Sequence, residues 1–265
     1  MKLEIVGSTG SMSGPRGAAS CYLIQAEGTD PETGAPRTWS IALELGPGSF
    51  GQLWNHMDPK ELDALVFSHL HADHMGDIIS LQVFQRWNPE GCLPPVMVAG
   101  PEKTLERIRQ IDGMDPENTY EVEFDIRTIN KDVTLEVGPF TLTFFPGWHT
   151  VEAYGIRVEG PSAADPSKKA TIFYTGDTDT VDTITQGATG VDLLLSEAGF
   201  TDEDSVRGIH MTGKRAGETA AEARPGRLVL THIQPWTDPA DVVADALQAW
   251  DGPIDVAEPG LSWEV

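Results

Sequence analysis

The segment Ser68-His69-Leu70-His71-Ala72-Asp73-His74 sets three imidazoles and one carboxylate within six positions, directly behind the apolar run Leu62-Asp63-Ala64-Leu65-Val66-Phe67. A short apolar run of this kind reads as a buried strand, which puts the His-x-His-x-Asp-His cluster on the loop leaving its end. Imidazole nitrogen and carboxylate oxygen together suit divalent first-row metals, zinc above all. Four such groups crowd one loop at a cost that a bound cation offsets. The bland alternative is a polar loop that happens to carry histidines.

His69-x-His71-x-Asp73-His74 after a strand resembles the signature of the metallo-β-lactamase fold superfamily. The resemblance implies an α/β fold, a four-layered αββα sandwich with a two-metal site at one edge of its sheets. It also implies further ligands downstream in a set order.

At 265 residues and 40% hydrophobic composition, the chain can bury a large core, and one domain over residues 1–265 is expected. Acidic residues number 41 against 18 basic, for a formal charge of −23. Such a surface repels polyanions, so a long nucleic-acid footprint is disfavoured. A focused positive site made by two metal ions still draws in one small anion. Solubility or a salt-adapted host is the plainer reading of the charge. Cys21 and Cys92 are the only cysteines and make neither a disulfide framework nor a CxxC pair. Met1 to Val6 lacks an apolar signal core and no run reaches transmembrane length, so a cytoplasmic protein without membrane contact is expected.

Leu3–Val6 and Cys21–Ala26 read as a first pair of strands. The long loop between them, Gly7 to Gly17, either brings backbone N–H groups, small hydroxyls and Arg16 over the metal edge or is a flexible surface loop. Thr38–Leu45 alternates as a strand that Gly46-Pro47-Gly48 stops, and Phe50–His56 suggests a short helix in which His56 is a surface residue. Gly76–Trp87 has helical spacing at Ile78, Leu81, Phe84 and Trp87. Pro94–Gly100 reads as a strand and Glu102–Ile111 as a helix ended by Gly113. Tyr120 to Phe145 shows hairpin chemistry that is expected to complete the first sheet, the sandwich halves joining near His149. Strands Ile156–Val158, Thr171–Thr175, Val191–Ser196 and Gly226–His232 follow, with a helix up to Ala223, another near Ala240 to Trp250 on Val243, Leu247 and Trp250, and a last strand near Ile254–Ala257.

Carried over residue by residue, the resemblance puts one metal on His69, His71 and His149 and a second on Asp73, His74 and His232, with Asp177 of Gly176-Asp177-Thr178 between them. Each position falls at a predicted strand end or on the loop after one. A bridging carboxylate needs two oxygens facing two cations, and an Asp on a short Gly turn supplies them. Zinc, manganese and iron all tolerate this donor set. Asp73 would bind through one oxygen and orient the activated water with the other. His210-x-Thr212 before a helix resembles the catalytic-histidine pattern of the superfamily's phosphodiesterase branch, which makes His210 the candidate general acid for the leaving alkoxide. Glu197 matches a strand-end acid of that branch that would orient His210 and raise its pKa; otherwise it is a solvated strand-end acid.

The tRNA 3′-processing endoribonucleases of that branch carry a basic Gly/Pro-rich arm between the third histidine and the bridging Asp. Here only 28 positions separate His149 from Asp177, with Lys168 and Lys169 at the turn of one hairpin. The opening Lys2–Gly7, the Ala19–Leu23 segment and the Ser68–His74 loop resemble actinobacterial cyclic-nucleotide phosphodiesterases of the superfamily. The expected reaction is therefore hydrolysis of a small phosphodiester, a 3′,5′-cyclic nucleotide such as cyclic AMP, to the 5′-monophosphate. The alternatives are an RNase Z-like endoribonuclease acting on RNA 3′ ends and a non-catalytic metal-binding sensor. Homodimers are common for the fold.

Overall fold

The computed structural model describes all 265 residues. β1 (Lys2–Gly7), β2 (Cys21–Thr29) and β3 (Pro36–Leu43) form an antiparallel meander. The chain then switches to parallel pairing through helical crossovers. α1 (Ser49–His56) leads into β4 (Ala64–Val66), α2 (Ala72–Met75) and α3 (Ile78–Arg86) into β5 (Val96–Gly100), and α4 (Thr104–Asp112) into β6 (Phe124–Thr128). The second half repeats the scheme: β7 (Thr134–Val137), β8 (Phe140–Pro146), β9 (Tyr154–Pro161) and β10 (Lys169–Tyr174) are antiparallel. Parallel strands again follow, as α5 (Asp182–Ala188), β11 (Leu193–Glu197), α6 (Gly213–Ala223), β12 (Leu228–Thr231), α7 (Pro239–Ala246) and β13 (Ile254–Val256). β14 (Ser262–Glu264) returns to the free edge of β1.

The result is two seven-stranded sheets, ordered β14-β1-β2-β3-β4-β5-β6 and β13-β12-β11-β10-β9-β8-β7. Strand alternation sorts the apolar side chains: Tyr22 and Ile24 of β2 face the other sheet, while Cys21 and Leu23 face Phe50, Leu53, Ile78 and Leu81 of the helices. The second sheet does the same, with Ile172 and Tyr174 inward and Phe173 against Ile184, Ala216 and Ala220. Strands buried on both faces read as unbroken apolar runs, which is why these strands are legible in the sequence, while the αββα layering is what the superfamily resemblance implies. Across the interior, Tyr22 and Tyr174 pack with ring centroids 4.9 Å apart. No helix is long and apolar enough to cross a membrane.

Several expectations are corrected. The Val133–Phe145 hairpin does not complete the first sheet: β7 and β8 open the second, and the halves join between β6 and β7 rather than near His149. Hairpin periodicity specifies the pairing of two strands with each other and carries no information about which sheet they extend. α5 and β14 were not anticipated, being short and weakly patterned. In α7, Val242 and Ala246 are the buried positions and Leu247 is exposed. His56 is no plain surface residue, since its Nδ1 lies 2.5 Å from Glu4 Oε1.

Gly138 turns the β7–β8 hairpin at φ +53°, and a Cβ there would lie 2.1 Å from the ring of Trp39 on β3. Gly138→Val is expected to lower unfolding free energy by about 2–4 kcal/mol, from left-handed backbone strain plus overpacking. A denaturant midpoint equal to that of the native chain would show that Trp39 yields without cost.

Candidate metal centre

The parallel strands of both sheets end at one edge, where ligands of open α/β sheets characteristically bind. β4 runs into Ser68 and His69, β8 into His149, β10 into Asp177, β12 into His232, and β11 ends on Glu197. Asp73 and His74 depart from the expected loop: they sit in the single turn of α2, where His74 N–H donates to His71 O (3.1 Å) and Gly76 N–H to Ala72 O (2.8 Å). His210 lies two residues before Thr212, the N-cap of α6.

One group consists of His69, His71 and His149. His71 Nδ1 is 3.2 Å from His69 Nε2 and 3.1 Å from His149 Nε2. Nitrogens sharing one cation at bonds of about 2.0–2.1 Å stand roughly 2.9–3.4 Å apart for octahedral to tetrahedral angles, so this spacing fits. The tautomers agree. His149 Nδ1–H donates to Ile209 O at 2.7 Å and His69 Nδ1 is 3.0 Å from Ser68 Oγ, which leaves the Nε2 lone pairs facing inward.

The other group is Asp73, His74, Asp177 and His232. Asp177 Oδ2 is 3.2 Å from His74 Nε2, 3.4 Å from His232 Nε2 and 3.8 Å from His69 Nε2, so one carboxylate faces both groups. Asp73 Oδ2 is 3.4 Å from His74 Nε2. Asp177 Oδ1 is buried without a hydrogen-bond partner, a cost a protein accepts where another ligand completes the site. Burial pushes the Asp177 carboxyl up, but His232 and His74 hold it well below the usual carboxylate range. Burial likewise opposes a charge on His74, yet Asp177 and Asp73 raise its pKa well above the ordinary value. Carboxylates thus favour positive charge at this buried point, and the donor set fits divalent cations.

Glu44, at the end of β3 with φ +64°, is completely buried; it accepts Ser68 N–H at 3.0 Å and stands 3.7 Å from His74 Nδ1. Sequence reading missed it, because an acid at a strand end carries no mark of burial.

Beside the second group, His210 Nδ1 is 3.0 Å from Glu197 Oε1 and 3.8 Å from Asp177 Oδ2. Glu197 is not a solvated acid: fully buried, it also accepts Thr178 N–H and Gly199 N–H, each at 2.9 Å. Burial opposes the imidazolium, but the Glu197 carboxylate pushes His210 up to about 9.

Asp179, also missed, is fully buried and accepts Arg207 Nε (2.6 Å), Gly208 N–H (2.7 Å), Arg215 (2.6 Å) and Thr180 N–H (2.7 Å). It therefore ties the Trp148–His149 loop, through Asp179 N–H to Trp148 O (2.9 Å), to the segment carrying Ile209 and His210. Arg16 does not reach toward the metal edge. Its guanidinium donates to the carbonyls of Ile233, Gln234 and Thr237, while Ser11 N–H reaches His232 Nε2 at 3.2 Å.

The beta-lactamase superfamily domain matches residues 43–233. The chain belongs to the beta-lactamase superfamily. An uncharacterized protein of Mycobacterium leprae is 32% identical over 250 residues, covering 93% of this chain and 82% of its own. The probable metallo-hydrolase YhfI of Bacillus subtilis is 28% identical over 270 residues, the full length of both chains. Its crystal structure superposes with a TM-score of 0.84 at 26% identity, over 100% of this chain and 99% of that one. The short form of human tRNase Z (TM-score 0.71, 18% identity, 100% and 99% of the chains) and a diphosphatase of the PhnP family (0.73, 17%, 100% and 97%) share the superfamily fold.

Asp177→Ala is expected to lose at least about tenfold in divalent-cation affinity, measured by metal analysis after dialysis; a fully loaded variant would remove Asp177 from the ligand set. Asp179→Ala, which leaves Arg215 buried without its partner, should lower stability by about 3 kcal/mol in denaturant titration.

Proposed function

We propose that this chain, a metal-dependent hydrolase, hydrolyses a small phosphodiester, a 3′,5′-cyclic nucleotide and foremost cyclic AMP, to the 5′-monophosphate in the cytoplasm. The observation that carries the reading is the buried His210–Glu197 pair set against Asp177, a proton donor placed beside the candidate metal groups. Displacing an alkoxide from phosphorus requires a proton for the leaving oxygen, a need that thioester hydrolysis, with its thiolate leaving group, does not share to the same degree.

His69, His71 and His149 would hold one divalent cation and Asp73, His74, Asp177 and His232 a second; zinc suits these donors best, and manganese or iron share them. Cations bound there would supply a lowered pKa for water and positive charge for the phosphoryl oxygens. The half-buried Asp73 orients the attacking water with the oxygen turned away from His74. Glu197 takes Nδ1–H of His210, so the proton for the leaving oxygen stands on Nε2. Between His149 and Asp177 the chain forms the single hairpin of β9 and β10, with Lys168 and Lys169 paired to Asp165 and Glu159. No basic arm projects there to grip a tRNA, which supports a small substrate. A sensor without catalysis finds no support, since no ligand position is lost.

His210→Ala should reduce cyclic AMP turnover by about 10²–10⁴-fold with unchanged metal content, in an assay run beside a bare precursor tRNA. Cleavage of the tRNA alone would replace this reading with an RNase Z-like one. Because the acid must be protonated, the rate falls as pH rises through the pKa of His210. Glu197→Gln removes the charge that raises this pKa, so the alkaline limb of the pH–kcat profile should move to lower pH; an unmoved limb would detach Glu197 from the acid.

A further inference from the structure

A cavity of about 510 Å³ opens beside the metal centre, and His71 forms part of its wall. Its other walls come from the segment before His71, from Pro101 and the first turns of α4, and from the loop after His149. The volume lies within the roughly 300–1,000 Å³ range of sites for small organic ligands. Leu70, Pro101 and Val151 supply apolar surface.

The polar lining is balanced. Lys103 and Arg107 face the cavity with Glu106 and Glu152, two charges of each sign, in a chain with 41 acidic and 18 basic residues. Neither cation pairs with a carboxylate: Lys103 has no partner, and Arg107 donates to Leu70 O (3.1 Å) and to Gln110 Oε1 (3.0 Å). A wall tuned for an anion would carry an excess of cations, and one tuned for a metal an excess of acids. Glu106 accepts Gln110 Nε2–H (3.1 Å) and Glu152 accepts Tyr154 O–H (2.7 Å), and the donors and acceptors together beside apolar faces suit an uncharged, planar group with both kinds of hydrogen-bonding edge. Such a group is a nucleobase.

We infer that this cavity seats the base of the substrate while its phosphodiester lies at the metal centre. The inference rests on the proposed nucleotide chemistry and adds where the base goes. Arg107 joins the two places, since its Nε–H holds the carbonyl of Leu70, the residue before His71.

The test separates the seat from the reaction. Val151, 42% exposed, and Gln110, on the exposed face of α4, can each be replaced by tryptophan to fill the cavity from opposite walls. Calorimetric titration of the metal-loaded protein with adenosine, guanosine, cytidine and uridine reads the cavity without any phosphate. At least one nucleoside should bind the native chain, and Val151→Trp and Gln110→Trp should each weaken it by about tenfold or more. In turnover, both variants should raise KM for cyclic AMP by a similar factor while leaving kcat/KM for methyl p-nitrophenyl phosphate within about twofold of native. Nucleoside binding that both variants retain, or none to the native chain, overturns the seat. Nucleoside binding lost in the variants, without turnover of any cyclic nucleotide, keeps the seat and overturns the proposed reaction.

Discussion

A single buried carboxylate organises this molecule. Asp177 reaches the end of β10 with Oδ2 within 3.8 Å of imidazole nitrogens from His69, His74 and His232. Isolated in so dry a place, a carboxylate would take up a proton rather than stay charged. The surrounding rings instead hold it ionised, and the same cluster raises the pKa of His74. This mutual dependence fixes where three separate strand ends, those of β4, β10 and β12, must meet, because each group becomes costly if its neighbours move away.

The sandwich makes such convergence possible. Parallel strands of both sheets point their C-terminal ends at one edge, so groups more than 150 positions apart, such as His74 and His232, come to 3.2 Å. Around this edge lies a layer of groups that orient the histidines. Ile209 O and Ser68 Oγ set histidine tautomers, Glu44 faces His74, and Glu197 turns His210. Asp179 fastens the segment that carries two of those groups. Buried carboxylates with as many hydrogen bonds as Glu197 and Asp179 are rigid because moving any partner leaves a charge uncompensated.

Charge is arranged on two scales. The whole surface is strongly acidic, whereas the cavity beside His71 balances its charges and the metal groups favour cations.

Much of this was legible in order along the chain. The cluster from His69 to His74 lies just past an apolar run, a local pattern that spacing reveals, and the resemblance it carries implied His149, Asp177, His232, His210 and the layered fold. The sequence by itself thus determined the candidate donors and, through the superfamily resemblance they carry, the expected architecture, because the motif is written in near neighbours. Only the tertiary structure decided that the β7–β8 hairpin joins the second sheet, that Arg16 binds backbone carbonyls, that Glu44, Glu197 and Asp179 are buried, and that a cavity opens beside His71. The physical reason is that sheet membership, burial of a lone acid and the walls of a cavity depend on residues distant in sequence, whose proximity exists only after the chain has closed on itself.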